Sequence, residues 1–363
     1  MSTGTGAGTA ECPPIPSGAS ARKSAGASGS RPKAFLIDTP NNPFFHDVLR
    51  PDALERLRGL LDLDPRIVTP DSFPRLAEDL LEAEVLVGTW GFPVQLAEDL
   101  AALPKLRLVL YAGGSVKGLA RPFLERGIEV VTGKDTNAVA VAEFCLAQIL
   151  LSNKGYFRNT RMCRRPETAH QLTAYTGPGN YGETVALLGY GAIARHLRGL
   201  LRGVHLKVLV VDPTIDLSDA EDEGIELVSL ERAFEDALLV SNHLPNLATL
   251  QNVLGADLFR RLPESATFIN TGRGQQVDEP GLIEVLRERP DLTALLDVTH
   301  PEPPLPGSPL YDLPNVHLSS HIAGVVGNER RRLTDSIEAE CKRFLQGEKL
   351  HHATRLEELE LMA

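Results

Sequence analysis

From residue 33 onward, short apolar runs alternate with amphipathic stretches. Ala34–Ile37, Arg66–Val68, Val85–Val87, Leu106–Tyr111 and Ile128–Val131 have the length of buried strands. Between them, Pro51–Leu61, Phe73–Leu81 and Gln95–Ala102 repeat apolar positions at helical spacing. This alternation predicts a parallel sheet covered by helices on both faces. A long helical pattern then runs from Asn137 to about Tyr156, with Thr136 and Asn137 as its N-caps, and forms a natural hinge. Residues 157–182 are polar, contain Gly and Pro, show no period, and read as a connector. The alternation resumes with Thr184–Leu188, Leu206–Val211, Glu226–Val228, Leu238–Ser241, Thr267–Asn270, Thr293–Leu296 and Val316–Leu318. Ala256–Leu262 and Pro280–Arg289 are among the helical patterns in the gaps, Asn328–Leu345 is one more helix, and the last few residues read as frayed. The expected class is α/β, with two domains.

The stretch Thr184–Asp212 carries more information than any other. An apolar strand meets a tight turn spaced G-x-G-x-x-A at Gly189, Gly191 and Ala194. A helix with Ile193, Leu197, Leu200 and Leu201 on one side follows, then a second strand ending in Asp212, 21 residues beyond Gly191. Gly189 allows the turn, and Gly191 lets the backbone approach a pyrophosphate resting on the helix N-terminus. Ala194 is small enough for helix and strand to pack closely, and Asp212 is placed to accept from an adenosine ribose. The strand–turn–helix–strand context makes this a dinucleotide site.

Composition narrows the rest. The 363 residues, with 37 basic and 48 acidic side chains, carry a formal charge of -11, which argues against general nucleic-acid binding. Cys12, Cys145, Cys163 and Cys341 are scattered without CxxC spacing, which suits free thiols in a reducing compartment such as the cytoplasm. No apolar run reaches the length of a transmembrane helix, so no membrane partner is expected, and no metal site is read. Residues 1–32 are rich in Gly, Ala, Ser, Thr and Pro and are expected to be a disordered tail. That tail lacks the apolar core of a secretory signal.

Ligands of such sheets bind beyond the carboxyl ends of the strands, and the unusual residues cluster there. Gly113, Gly114 and Ser115 follow one run, with backbone amides suited to an anion. Gly88–Phe92 follows another and holds Trp90, the only tryptophan. In the second domain the runs lead into Asn242-His243-Leu244-Pro245, Thr271-Gly272-Arg273-Gly274, Asp297–Pro303 and Ser319–Gly324. A nicotinamide cofactor moves a hydride, so the protein must supply a proton and hold the substrate. Histidine suits the proton step, a neighbouring carboxylate favours its charged form, and arginine offers a bidentate fork for a carboxylate. Arg273, Glu302 and His321 lie at the ends of three strands of one expected sheet and form the candidate catalytic set. Gly189, Gly191, Ala192, Ile193, Asp212, His243, Pro245, Thr271, Gly272 and Asp297 are candidate cofactor contacts, with NAD as the cofactor. Gly113, Gly114, Ser115 and Trp90 are candidate substrate contacts.

Over nearly all of residues 33–350 the chain resembles the D-isomer-specific 2-hydroxyacid dehydrogenases. The matching pieces are AGGSV, NAVAVAE, GYGAIAR, VVDP, VSNHLP, INTGRGQQVDE, LDVTHPEPP and SSHIAG. The resemblance implies that Arg273 binds the substrate carboxylate and carbonyl, that Glu302 and His321 form the acid/base pair, and that Asp297 contacts the nicotinamide carboxamide. It further implies a Rossmann NAD-binding domain (137–324) inserted in a flavodoxin-like substrate domain (33–136 and 325–363), and a homodimer built through the cofactor domain. The expected activity is interconversion of a small-molecule 2-oxo acid and a D-2-hydroxy acid. The loop Ala112–Lys117 departs from the family pattern by ending in lysine rather than an acidic residue, Asn242 replaces an aliphatic residue, and Thr299 replaces the usual Phe. Lys117 reads as solvated, and Arg195 and His205 as cations near Asp212. Two other classes stay open: a formate- or phosphite-type dehydrogenase on the same fold, and a non-catalytic, NAD-sensing corepressor-like binder.

Overall fold

Alternate residues of Lys33–Ile37 (β1) enter different cores: Phe35 and Ile37 one, Ala34 and Leu36 another. A strand reads this way when both of its faces are covered. In the computed structural model, which describes residues 30–170 and 174–361, β1 lies inside a parallel sheet. Its companions are Asp62–Val68 (β2), Val85–Gly88 (β3), Leu108–Tyr111 (β4) and Glu129–Thr132 (β5), in the order β2-β1-β3-β4-β5. That is the flavodoxin-like order, whose switch point lies between β1 and β3. Most of the tail expected to be disordered lies outside the described residues. The chain divides at Arg31/Pro32, and the unit from Pro32 onward is the one described below.

The second sheet uses Tyr181–Leu188 (β6), His205–Val211 (β7), Glu226–Leu227 (β8), Leu239–Asn242 (β9), Thr267–Asn270 (β10), Thr293–Leu296 (β11) and Val316–Leu318 (β12). Their order is β12-β11-β10-β9-β6-β7-β8, all parallel, which is the doubly wound dinucleotide-binding order with one extra strand. Along β6, Ala186 and Leu188 face one core while Val185 and Leu187 face the other. The helix Lys134–Asn153 leads from the first sheet to the second and packs on the helix Ala192–Leu201. The helix Arg330–Gln346 returns to the first sheet and places Leu333, Ile337 and Cys341 against Leu108, Leu110 and Val131. After it, Thr354 N donates to Val130 O at 2.8 Å and covers the β5 edge.

Four local expectations are corrected. The long helix starts at Lys134 behind Gly133, so Thr136 and Asn137 lie inside its first turn, and Asn137 Oδ1 accepts from Val325 N instead. The stretch read as connector holds a helix, Tyr156–Met162, that fully buries none of its side chains and therefore leaves no clear apolar period. The last residues are not frayed as far as the description reaches, since Leu359 is buried in the core against the first sheet. Gln95–Ala102 divides into a 3-10 turn, Val94–Leu96, and a short helix, Ala97–Ala101.

Candidate active site

The turn after β6 has the geometry its glycines predict. Gly189 has φ +83°, and a Cβ there would stand 2.7 Å from the carbonyl oxygen of His243. Both facts demand glycine. At Gly191 no atom lies within 4 Å of where a Cβ would sit, and no side chain caps the helix Ala192–Leu201 that begins beside it. Its first-turn N–H groups, on Ala192 and Ile193, are left for an anion. Asp212, at the end of β7, accepts from Tyr190 N at 2.7 Å through Oδ2 and from Thr214 N and Oγ1 through Oδ1. A carboxylate has about four acceptor positions, so Oδ2 keeps one for a ribose hydroxyl. These residues fit a dinucleotide: its pyrophosphate at the helix start, its adenosine ribose at Asp212. Arg195 stacks on the Tyr190 ring at 4.9 Å. His205 is at the opposite end of β7 from Asp212, against Tyr181, so its sequence proximity brings it nowhere near the ribose position.

His243 lies beneath the Gly189 turn. Its ring is buried, with Nε2 2.9 Å from Ser241 Oγ and Nδ1 3.5 Å from Thr271 Oγ1. Burial pushes its pKa down from 6.5 to about 4, so the ring is neutral. The backbone around Pro245 and Gly272 is tied by buried amides. Gln276 Nε2 donates to Leu244 O and Pro245 O, and Asn270 Oδ1 accepts from Gly272 N.

The structure brings Arg273, Glu302 and His321 together. His321 Nδ1 lies 2.7 Å from Glu302 Oε1. Accepting from Nδ1–H, the carboxylate leaves Nε2 for a substrate. The charge of Glu302 also reaches Arg273, where it opposes the larger effect of burial, which pulls the guanidinium below its ordinary pKa. Arg273 Nη1 donates to Gly272 O at 2.8 Å.

Asp297 does a job that the sequence did not reveal. Its Oδ1 accepts from Ser319 Oγ at 2.6 Å and Ile322 N at 2.9 Å, and its Oδ2 from Ala323 N at 2.9 Å. His321 N donates to the Asp297 carbonyl, and His321 itself holds a left-handed φ of 57°. Such backbone costs about 1 kcal/mol or more in a non-glycine residue and persists where its surroundings over-determine it. The carboxylate clamp is that surrounding.

The candidate substrate loop faces the same region. Gly113 N is spent on Tyr111 O at 2.9 Å, and a Cβ on Gly113 would strike the Tyr111 ring at 2.6 Å. Gly114 and Ser115 are left to offer their amides. Asn137 joins this loop to the histidine loop: its Nδ2 is 3.7 Å from where a Gly114 Cβ would sit, and its Oδ1 bonds Val325 N at 3.0 Å. Asn137, Ser319 and Gln276 are site residues that sequence reasoning missed. Trp90 lies two residues beyond the end of β3, partly exposed and edge-on to Phe44 at 5.9 Å. Lys117 is not simply solvated, since its Nζ donates to Asn246 O in the loop after β9.

The family model of the D-isomer specific 2-hydroxyacid dehydrogenase NAD binding domain matches residues 146–323. A glyoxylate reductase of Korarchaeum cryptofilum is 30% identical over 283 residues, covering 77% of this chain and 85% of the relative. A D-3-phosphoglycerate dehydrogenase of Methanocaldococcus jannaschii is 28% identical over 83% of this chain, and the match spans only 57% of that longer protein. The D-mandelate dehydrogenase of Rhodotorula graminis, in its apo form, superposes with a TM-score of 0.74 at 22% identity, over 90% of this chain and 98% of its own. That likeness shows the shared fold.

Proposed function

Because the chain belongs to the D-isomer specific 2-hydroxyacid dehydrogenase family, with a nicotinamide dinucleotide as cofactor, we propose that it reduces a 2-oxo acid to a D-2-hydroxy acid, and the reverse. The observation that carries this reading is the 2.7 Å contact between His321 and Glu302, with Arg273 close enough to feel the same carboxylate. The cofactor, when bound, supplies the hydride. Gly191, Ala192, Ile193 and Asp212 hold its adenosine side, and Asp212 disfavours a 2′-phosphate, so NADH is preferred to NADPH. The segments around His243–Pro245, Thr271–Gly272 and Asp297 hold its nicotinamide side.

His321 Nε2 gives its proton to the carbonyl oxygen of the oxo acid as the carbon is reduced, and takes it back in oxidation. Glu302 accepts from the ring's Nδ1–H and fixes its orientation. Arg273 grips the substrate carboxylate bidentately, assisted by the Gly114 and Ser115 amides. The substrate domain is then 33–136 with 325–363, and the cofactor domain is 137–324. The free thiols fit a reducing compartment such as the cytoplasm, and the family expectation is a homodimer built through the cofactor domain.

The side-chain pocket is lined by Trp90 and Phe44. Arg330 lies over the Phe44 ring at 5.1 Å and pairs with Asp47 at 2.5 Å, so the Phe44–Trp90 edge offers apolar surface beside a cation already engaged by a carboxylate. An unpaired phosphate there is costly. Uncharged 2-oxo acids therefore outperform 3-phosphohydroxypyruvate and oxaloacetate.

The test is NADH and NADPH oxidation against a panel of 2-oxo acids. His321→Ala lowers kcat by about two to four orders of magnitude, the usual worth of a general acid, while NADH still binds. Glu302→Gln, which loosens the orientation of the His321 ring, lowers kcat by about tenfold or more with little change in NADH binding. Near-normal turnover by His321→Ala, or no turnover with any member of the panel, overturns the reading.

A further inference from the structure

Three amide side chains are buried together beneath the cleft: Asn242 at the end of β9, Asn270 at the end of β10, and Gln276 in the 3-10 turn Gly274–Gln276. Their exposures are 0%, 1% and 2%, a placement that costs free energy unless every polar atom is paired. Asn242 Nδ2 donates to Asn270 Oδ1 at 3.0 Å and to Gln276 Oε1 at 2.7 Å, and Asn242 Oδ1 accepts from Leu244 N at 3.2 Å. Gln276 Oε1 also accepts from Arg273 N at 3.2 Å, and Gln276 Nε2 serves Leu244 O at 3.0 Å and Pro245 O at 2.8 Å. Asn270 Oδ1 takes Gly272 N at 3.1 Å, and Asn270 Nδ2 donates to Arg273 O at 3.4 Å. Both donors and both acceptor positions of Gln276 are in use.

The network holds two things at once. It fixes the backbone of Arg273 from both sides, through its N–H and its carbonyl. It also fixes Leu244 and Pro245, next to the His243 carbonyl that abuts the Gly189 turn. Gly272 makes this packing possible, because a Cβ there would stand 2.9 Å from both Asn242 Nδ2 and Gln276 Oε1. Asn242 is the centre, since it alone bonds both other amides and the loop. An aliphatic residue at 242 fills the space and leaves Gln276 Oε1 and Asn270 Oδ1 each short of a donor.

We propose that Asn242 and Gln276 are positioning residues for Arg273, locking the carboxylate-binding arginine to the Leu244–Pro245 wall of the cofactor cleft. The proposal rests on the reading of Arg273 as the substrate-carboxylate ligand. Removing the lock lets the guanidinium sample poses that miss the carboxylate, so substrate affinity falls while the proton-transfer pair is untouched.

The test uses the full chain with NADH and the variants Asn242→Leu, Gln276→Met, Arg273→Ala and Asn242→Leu/Arg273→Ala. Oxalate, a carboxylate that is not reduced, is the probe, titrated calorimetrically into the NADH complex. Breaking a buried hydrogen bond to the network weakens oxalate and raises the oxo-acid KM by about tenfold in Asn242→Leu, with kcat changed far less. Because the same amides hold Leu244 and Pro245, NADH affinity is read from its fluorescence for each variant, and every oxalate titration is made at NADH concentrations that saturate that variant. In the Arg273→Ala background the Asn242 substitution has no further effect on oxalate, because two members of one unit are not additive. An equal loss in both backgrounds makes Asn242 a general stability residue and overturns the proposal. Arg273→Ala that binds oxalate normally overturns the role of Arg273 itself, and this proposal with it. Weak binding by Arg273→Ala with normal binding by Asn242→Leu overturns only the present proposal. Gln276→Met enters the lock from its other end and gives the same reading where Asn242→Leu does not fold.

Discussion

His243 shows how one side chain's surroundings set its chemistry. Neutral in the fold to about pH 4, it takes up a proton near pH 6.5 once unfolded. The unfolded chain therefore binds more protons between those values, and stability falls as pH drops from 6.5 towards 4, by about 3 kcal/mol for this one group. Above pH 6.5 the contribution is complete, and below pH 4 nothing further is lost. Urea unfolding at pH 7 and pH 4.5 should show this loss over and above that of His243→Gln, whose stability profile is flatter in that window. Identical slopes would remove His243 from the account. At this scale the sequence was a good guide to charge and a poor one to amides. Arg273, Glu302 and His321 stood out because strand ends rarely carry all three. Gln276 did not, and Asn242 stood out only as a departure from the family pattern, because an amide reveals its role only through partners distant in sequence.

Elements buried on both faces were read most accurately. Thr267–Asn270 and Thr293–Leu296 occupy the residues that their apolar runs predicted, as does the half-buried edge strand Val316–Leu318. Asp62–Val68 extends well beyond its run because it is an edge strand, where Pro65 and charged residues are tolerated. The helix Tyr156–Met162 escaped notice for the matching reason, as none of its residues is fully buried and only Phe157 packs in part on a core. The loop after β12 is the element on which the proton-transfer residue depends, and Asp297 is what shapes it. Asp297→Asn puts an amide donor where two loop groups need acceptors, leaving at least one N–H of Ile322 or Ala323 unpaired at about 1–3 kcal/mol. Faster hydrogen exchange in a peptide covering 319–325, together with a kcat at least about tenfold lower, is the expected result. Unchanged protection would show that the loop holds its left-handed His321 by other means.

Over the whole molecule, the two sheets are joined by Lys134–Asn153 going out and by the segment before Arg330–Gln346 coming back, and Asn137 bonds Val325 where the two crossings meet. The sequence showed both sheets, while the return of the last helix followed from resemblance alone, since periodicity does not say which sheet a helix covers. Ile337 is fully buried among residues of the first sheet. Ile337→Ala should cost about 2–4 kcal/mol by opening a cavity there. Guanidinium unfolding that moves by less than about 0.5 kcal/mol, the range of an ordinary surface change, would place the helix elsewhere.

The returning helix also sets an order of events during synthesis. All of β6 to β12 has been made by Leu318, before Arg330 begins the helix that covers Leu108, Leu110 and Val131. On the ribosome the nucleotide-binding sheet can close its core while the first sheet, translated earlier, still waits with one apolar face bare. The part made first is thus finished last, and a nascent chain halted just after Leu318 should already retain an adenine-nucleotide resin while remaining a substrate for chaperones and proteases in its N-terminal third.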